Sequence, residues 1–274
     1  GFTAYEKGKK YAKGDRYYIN NRKKSAVFVV VGEESAENGV RIGAAHIDSP
    51  RLDLKPNPLY EEIDLALFKT HYYGGVRKYQ WATIPLALHG VFVKKNGETI
   101  NVKIGEDASD PVFVINDLLP HLASEQNKRT LNEGIKGEEL NVLVGSFPFK
   151  ADEGSELVKL NILNILYEKY SITEADFLSA ELEIVPAFKA QDVGFDRALI
   201  GSYGHDDRVC AYPSLMALMD IKVPKRTAIC VLADKEEIGS VGNTGLNSHF
   251  LLHVISDIAR MQGIEPQDAL RKSQ

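Results

Sequence analysis

Residues 227–233, Thr-Ala-Ile-Cys-Val-Leu-Ala, are apolar or β-branched at every position. Such a strand has two faces to hide, so it calls for a covering layer on each side rather than a sheet with one wet face. A similar run, Ser-Ala-Val-Phe-Val-Val-Val, fills residues 25–31. Residues 41–46 read as the next strand, after Gly32 and the polar stretch 33–39. Apolar spacing predicts helices over 208–220 and 246–261, the second stopped by Gly263. Strand, helix, strand, helix in the C-terminal third is the order of an α/β fold.

The middle of the chain reads differently. Residues 88–94 and 99–104 flank Asn96-Gly97, a pair that accepts the positive φ of a tight hairpin turn. Residues 112–115 read as a strand and 116–125 as the opening of a short helix. Leu157, Leu160, Ile162, Leu163, Ile165 and Leu166 give residues 155–170 a broad apolar helical face. Thr173-Glu174-Ala175-Asp176 has the form of a capping box, and residues 181–185 alternate like a strand. The expectation is an α/β domain carrying a β-rich insertion.

Composition narrows the function classes. Of 274 residues, 44% are hydrophobic and 26% charged, a globular balance, and the net charge of −5 argues against a nucleic-acid partner. The basic N-terminal stretch (Lys7, Lys9, Lys10, Lys13, Arg16) reads as a solvated surface. No apolar run reaches the ~18 residues of a membrane span. Two cysteines, Cys210 and Cys230, exclude a disulfide framework and fit a reducing, cytoplasmic setting.

Acids and histidines cluster in three places. His46 and Asp48 end the strand at 41–46. A period of two puts both on one side, where a carboxylate can orient a metal-ligating imidazole. Asp206 and Asp207, in Gly204-His205-Asp206-Asp207-Arg208, sit at a helix start, where acids also simply suit the helix dipole. Glu236 and Glu237 follow the 227–233 strand, at the carboxyl end where α/β sheets hold ligands. Each cluster alone has an ordinary structural explanation. Together, one histidine with several carboxylates suits zinc or a related divalent ion, and a two-metal hydrolase becomes the leading reading. A phosphate loop is excluded because Gly239-Ser240-Val241-Gly242-Asn243-Thr244-Gly245 lacks the Lys-Ser/Thr pair. His89, His249 and His253 read as packing or surface histidines.

These motifs, in this order, resemble the M18 family of metallo-aminopeptidases. The resemblance is carried by Ala45-His46-Ile47-Asp48-Ser49-Pro50-Arg51, Tyr72-Tyr73-Gly74-Gly75, Ser179-Ala180-Glu181-Leu182, Tyr203-Gly204-His205-Asp206-Asp207-Arg208 and Glu236-Glu237-Ile238-Gly239-Ser240. It implies a mixed-sheet zinc-exopeptidase catalytic domain over 1–83 and 196–274, interrupted by a β-rich assembly domain over 84–195. It also implies two Zn²⁺ ions, with Co²⁺ or Mn²⁺ possible. In that reading His46 binds one zinc, Asp206 bridges both, Glu237 binds the second and Glu236 is the general base. Asp48 orients His46, Asp207 shapes the peptide after Asp206, and His121 reaches a neighbouring subunit's active site. The implied partners are peptides with a free N-terminus and further copies of the chain in a dodecamer.

The family's two further ligands, an Asp in a Ser-Ala-Asp segment and a late His, have no counterpart in context. Only His249, His253 and Asp257 follow the Glu-Glu pair. The chain therefore reads as the central portion of a longer protein. Two rivals stay open: a related two-metal exopeptidase or deacylase of the same fold, and a non-catalytic assembly protein.

Overall fold

The computed structural model describes residues 1–150 and 153–273. They divide into two units, one of Gly1–Ser49 with the chain from Gly204 onward, the other of Pro50–Tyr203.

The first unit is built on a sheet of β1 (Thr3–Ala4), β2 (Arg16–Asn21), β3 (Ser25–Val30), β4 (Arg41–His46) and β13 (Ala228–Ala233), in the order β1-β2-β3-β13-β4. β13 lies between β3, which it pairs antiparallel, and β4, which it pairs parallel. Its uniform apolarity now has a cause. Ile229, Val231 and Ala233 pack in one cluster with Val254, Ile255, Ile258 and Ala259 of α3 (Phe250–Met261) and Ala269 of α4 (Pro266–Lys272). The alternate residues Ala228 and Cys230 pack in another with Leu218 of α2 (His205–Asp220). Each face of the strand is covered by a different helix, as its sequence demanded. Burial of one such side chain contributes roughly 1.5–3 kcal/mol.

The second unit holds a six-stranded antiparallel sheet in the order β8-β7-β10-β5-β6-β9. Its strands are β5 (Arg51–Glu62), β6 (Leu65–Tyr73), β7 (Leu86–Val93), β8 (Thr99–Ile104), β9 (Val142–Gly145) and β10 (Glu181–Pro186). The Asn96-Gly97 turn joins β7 to β8 as its chemistry predicts, with Gly97 at φ 86°. α1 (Leu157–Tyr170) sets Val158, Ile162, Leu163 and Leu166 against the core beneath. Thr173 and Asp176 form the expected capping box, which starts a short 3₁₀ turn at Glu174–Ser179. A separate ribbon pairs β11 (Gln191–Val193) with β12 (Leu199–Gly201).

Two differences from the sequence expectation have physical reasons. The division between units falls at 49/50 and 203/204 rather than at 83/84 and 195/196. The β5–β6 hairpin pairs with β10 and β9, so residues 51–73 belong to the second unit's sheet. Residues 116–125 form no helix; they hold only isolated turns, with the Leu122 amide donating to the Leu119 carbonyl at 2.8 Å, before a 3₁₀ segment at Gln126–Lys128. Leu118, Leu119 and Leu122 are exposed there, and a short segment with no layer to pack against does not hold a helix by propensity alone. No described helix is long and apolar enough to cross a membrane.

Candidate metal centre

The site forms where the parallel pair β4 and β13 ends. Ala233 stands opposite His46 in the register, and the Ile47 amide still donates to the Ala233 carbonyl at 2.8 Å. Both chains then turn away from the sheet, one through Asp48, the other through Lys235 in a left-handed conformation (φ 64°). Glu236 and Glu237 open a short 3₁₀ turn immediately after it. The third contribution comes from the start of α2, where Asp206 and Asp207 depart from helical dihedrals and the peptide between them is cis.

Asp48 is the organising group. Its side chain is only 2% exposed. One carboxylate oxygen accepts from the Glu236 amide at 3.2 Å and the other from the Glu237 amide at 3.3 Å. The same residue governs His46, whose Nδ1 lies 3.0 Å from the Asp48 carbonyl oxygen and 3.4 Å from Asp48 Oδ1. A carbonyl oxygen can only accept, so Nδ1 carries the proton and Nε2 is left with its lone pair directed outward.

What Nε2 faces decides the chemistry. Asp206 Oδ1 lies 3.1 Å away and Glu236 Oε2 3.7 Å away. Acceptor meets acceptor, so the arrangement is favourable only with a cation between them, whether a proton or a metal ion. The electrostatics of the site agree. Burial alone would lower the His46 pKa, but the Asp48 carbonyl and the carboxylates of Asp48, Glu236 and Asp207 outweigh it and hold it above the usual value. Glu237 is raised by burial and then by the charges of Asp206, Asp48 and Glu236, against the opposing pull of His46.

Two donor groups share the imidazole: His46 with Asp206 and Asp207, and His46 with Glu236 and Glu237. Within each, the ligand atoms lie within 4.8 Å of one another. One imidazole nitrogen with several carboxylate oxygens is a donor set that fits Zn²⁺ and tolerates neighbouring divalent ions. Asp207 also accepts from the His46 backbone amide at 3.4 Å, tying the helix start to the strand end.

The structure thus brings together His46, Asp48, Asp206, Asp207, Glu236 and Glu237 from three stretches of chain. His121 lies in the second unit on an exposed segment, and among the described residues it is in neither donor group. Sequence reasoning passed over three supporting side chains. The Ser49 hydroxyl donates to the Asp206 carbonyl at 3.0 Å, and the Thr244 hydroxyl donates to Asp234 at 2.6 Å. Their only sequence signal is position: a hydroxyl next to the His-x-Asp motif, and an acid on the first residue past a buried strand.

An α/β unit that gathers an imidazole and five carboxylates at the ends of two adjacent parallel strands and the start of a helix offers a donor set able to hold divalent cations. The match to known proteins agrees. The model of the aminopeptidase I zinc metalloprotease (M18) family matches residues 1–273, and the chain belongs to that family. It is 53% identical over 267 residues to a probable M18 family aminopeptidase 1 of Clostridium acetobutylicum, covering 97% of this chain and 57% of that one. The crystal structure of an M18 aminopeptidase from Thermotoga maritima superposes with a TM-score of 0.90 at 46% identity, covering 95% of this chain and 58% of that one. The S. cerevisiae mApe1 dodecamer shares the fold at a TM-score of 0.69 and 18% identity, covering 95% of this chain and 59% of that one. The chain spans a little over half the length of the relatives it matches.

Proposed function

We propose that the full-length protein is a zinc aminopeptidase that removes the N-terminal residue of peptides, and that its reacting groups are those at the ends of β4 and β13. The observation that carries this reading is His46, proton-bearing toward Asp48 and open toward Asp206 and Glu236. His46, Asp206 and Glu237 would hold two zinc ions, with Asp206 serving both; Co²⁺ or Mn²⁺ would suit the same oxygen-rich set. Zinc bound there supplies Lewis acidity toward the scissile carbonyl and toward water.

The remaining work falls to the chain's own residues. Glu236 has a side chain 54% exposed and an amide fixed by Asp48, so its carboxylate is both reachable and aimed. It takes the proton of the attacking water and passes it to the leaving amine. Asp48 keeps the imidazole in one tautomer. Asp207 holds the turn that presents Asp206. The carboxylate-rich rim favours a substrate with a free, positively charged amino terminus.

Glu236→Gln in zinc-loaded full-length protein should keep its metal content and lose about 10²–10⁴-fold in kcat on a free-amino aminoacyl p-nitroanilide. Wild-type turnover would overturn the assignment. Cleavage of the N-acetylated twin at a comparable rate would favour a deacylase instead.

Assembly is assigned to the second unit. Leu118, Leu119 and Leu122 are exposed around His121, which suits burial against another copy and a role for His121 in a neighbour's site. The S. cerevisiae relative named above is a dodecamer, and a homo-oligomer of that kind is the expected state. The free thiols of Cys210 and Cys230 support a cytoplasmic setting.

A further inference from the structure

Asp234 is the first residue past β13 and is buried, as is Thr244 ten residues on. The Thr244 hydroxyl donates to Asp234 Oδ2 at 2.6 Å, a charge-assisted bond. A carboxylate kept from water is unfavourable unless donors meet it, so its presence here asks for a reason.

The reason lies in what the bond closes. Glu236 and Glu237 lie in the first turn of a loop whose base is the Asp234–Thr244 pair. The loop turns through four left-handed residues, Lys235, Gly239, Ser240 and Gly242 (φ 64°, 92°, 57° and 78°). Two of these carry a β-carbon and hold that conformation only because their surroundings fix it. Inside the loop the Ser240 amide donates to the Lys235 carbonyl at 2.7 Å and the Asn247 amide to the Ser240 carbonyl at 3.1 Å. The Asn247 side chain donates to the Gly239 carbonyl at 3.0 Å. Gly245, next to Thr244, has no room for a side chain, since a β-carbon there would stand 2.3 Å from the Ser240 carbonyl oxygen. Asp48 grips the Glu236 and Glu237 amides from the β4 side, and Asp234 with Thr244 closes the base of the loop.

We propose that Asp234 and Thr244 form a clamp that fixes where the Glu236 and Glu237 carboxylates stand, making both positioning residues for the reaction although neither touches the substrate. The clamp rests on the roles given to Glu236 and Glu237 above. Its consequence is kinetic, because a displacement of about 1 Å at a reacting group is worth up to about 10²-fold in rate.

The test uses zinc-loaded full-length protein and whichever of leucyl and aspartyl p-nitroanilide the wild type turns over faster. Thr244→Val keeps the shape and deletes the hydroxyl. It should lower kcat by about tenfold or more with KM within about twofold, and weaken zinc retention against a chelator. Thr244→Ser should restore kcat to within about twofold of wild type, since it returns the donor. A folded Thr244→Val enzyme with wild-type kcat overturns the clamp, and so does a Thr244→Ser enzyme as impaired as Thr244→Val. Should Thr244→Val fail to fold, Asp234→Asn carries the test, because it keeps an acceptor and loses the charge. A fall in kcat of about threefold or more at constant KM supports the clamp, and an unchanged kcat overturns it. The two readings fail separately. A fully active Glu236→Gln removes the functional assignment, whereas an inactive Glu236→Gln beside an unimpaired Thr244→Val removes only the clamp.

Discussion

The two sides of the metal centre are built in opposite ways. On the β13 side, the Glu236 and Glu237 amides are held by the buried carboxylate of Asp48, and the loop behind them is knitted by its own backbone. On the α2 side, Asp206 presents a side chain that is 80% exposed. Its carbonyl is anchored by Ser49 and, among the described residues, its carboxylate meets only the His46 imidazole, while its neighbour Asp207 takes the His46 amide. One half is fixed by the polypeptide before any ion arrives. The other has its backbone in place and an exposed carboxylate whose one described side-chain contact is the imidazole that an ion would share. Under the roles proposed above, the rigidity falls on the general base and the adaptability on the ligand that two ions would share.

The sharpest way to break that contrast is to delete the fixed side. Asp48→Ala leaves the Glu236 and Glu237 amides without their acceptor, and should destabilise the metal-free full-length protein by about 2–4 kcal/mol in a urea titration. A loss below ~0.5 kcal/mol would mean that the loop holds itself and Asp48 serves only the imidazole. Asp206→Asn should do the opposite. Metal-free stability stays within about 0.5 kcal/mol of wild type, as for other exposed side chains, while the rise in Tm on adding zinc is largely lost. A mutant that keeps the full zinc-induced rise would remove Asp206 from the ligand set. A smaller effect on zinc binding belongs to Ser49→Ala, which frees the Asp206 carbonyl. It should cost about 1 kcal/mol, and its zinc-dependent Tm rise should shrink without disappearing.

Much of the first unit could be read before the structure. The 25–31 and 227–233 runs announced strands with two buried faces, and both lie in the sheet. The Asn96-Gly97 hairpin was equally plain, because its turn chemistry is local. The β5–β6 hairpin was not. Pro56 and Pro58 interrupt the alternation of residues 51–62, and the ladder with β6 shifts register between Leu54 and Leu59. Without that hairpin the unit boundary could not be placed at residue 49. The helix expected at 116–125 failed for the reverse reason: its leucines have the right composition but no surface of their own unit to cover them.

The site shows the same split between local and distant information. Residue types and their position after strands singled out His46, Asp206, Glu236 and Glu237, because those features are written side chain by side chain. The double grip of Asp48 on two amides left no trace, since its partners are backbone groups common to every residue. The Asp234–Thr244 bond was hidden by a ten-residue loop whose path no pattern describes.

The position of β13 in its sheet also orders events during synthesis. β3 and β4 emerge from the ribosome early, but the strand that joins them comes from the far side of the entire second unit. Until residue 233 has been made, both carry open edges with nothing of their own to pair with. The second unit has its own sheet and core and is free to fold in the meantime. Each nascent chain therefore passes through a period in which β4 and the edge of β3 not taken by β2 wait for β13, and the segment that fills the gap brings the Glu-Glu pair with it.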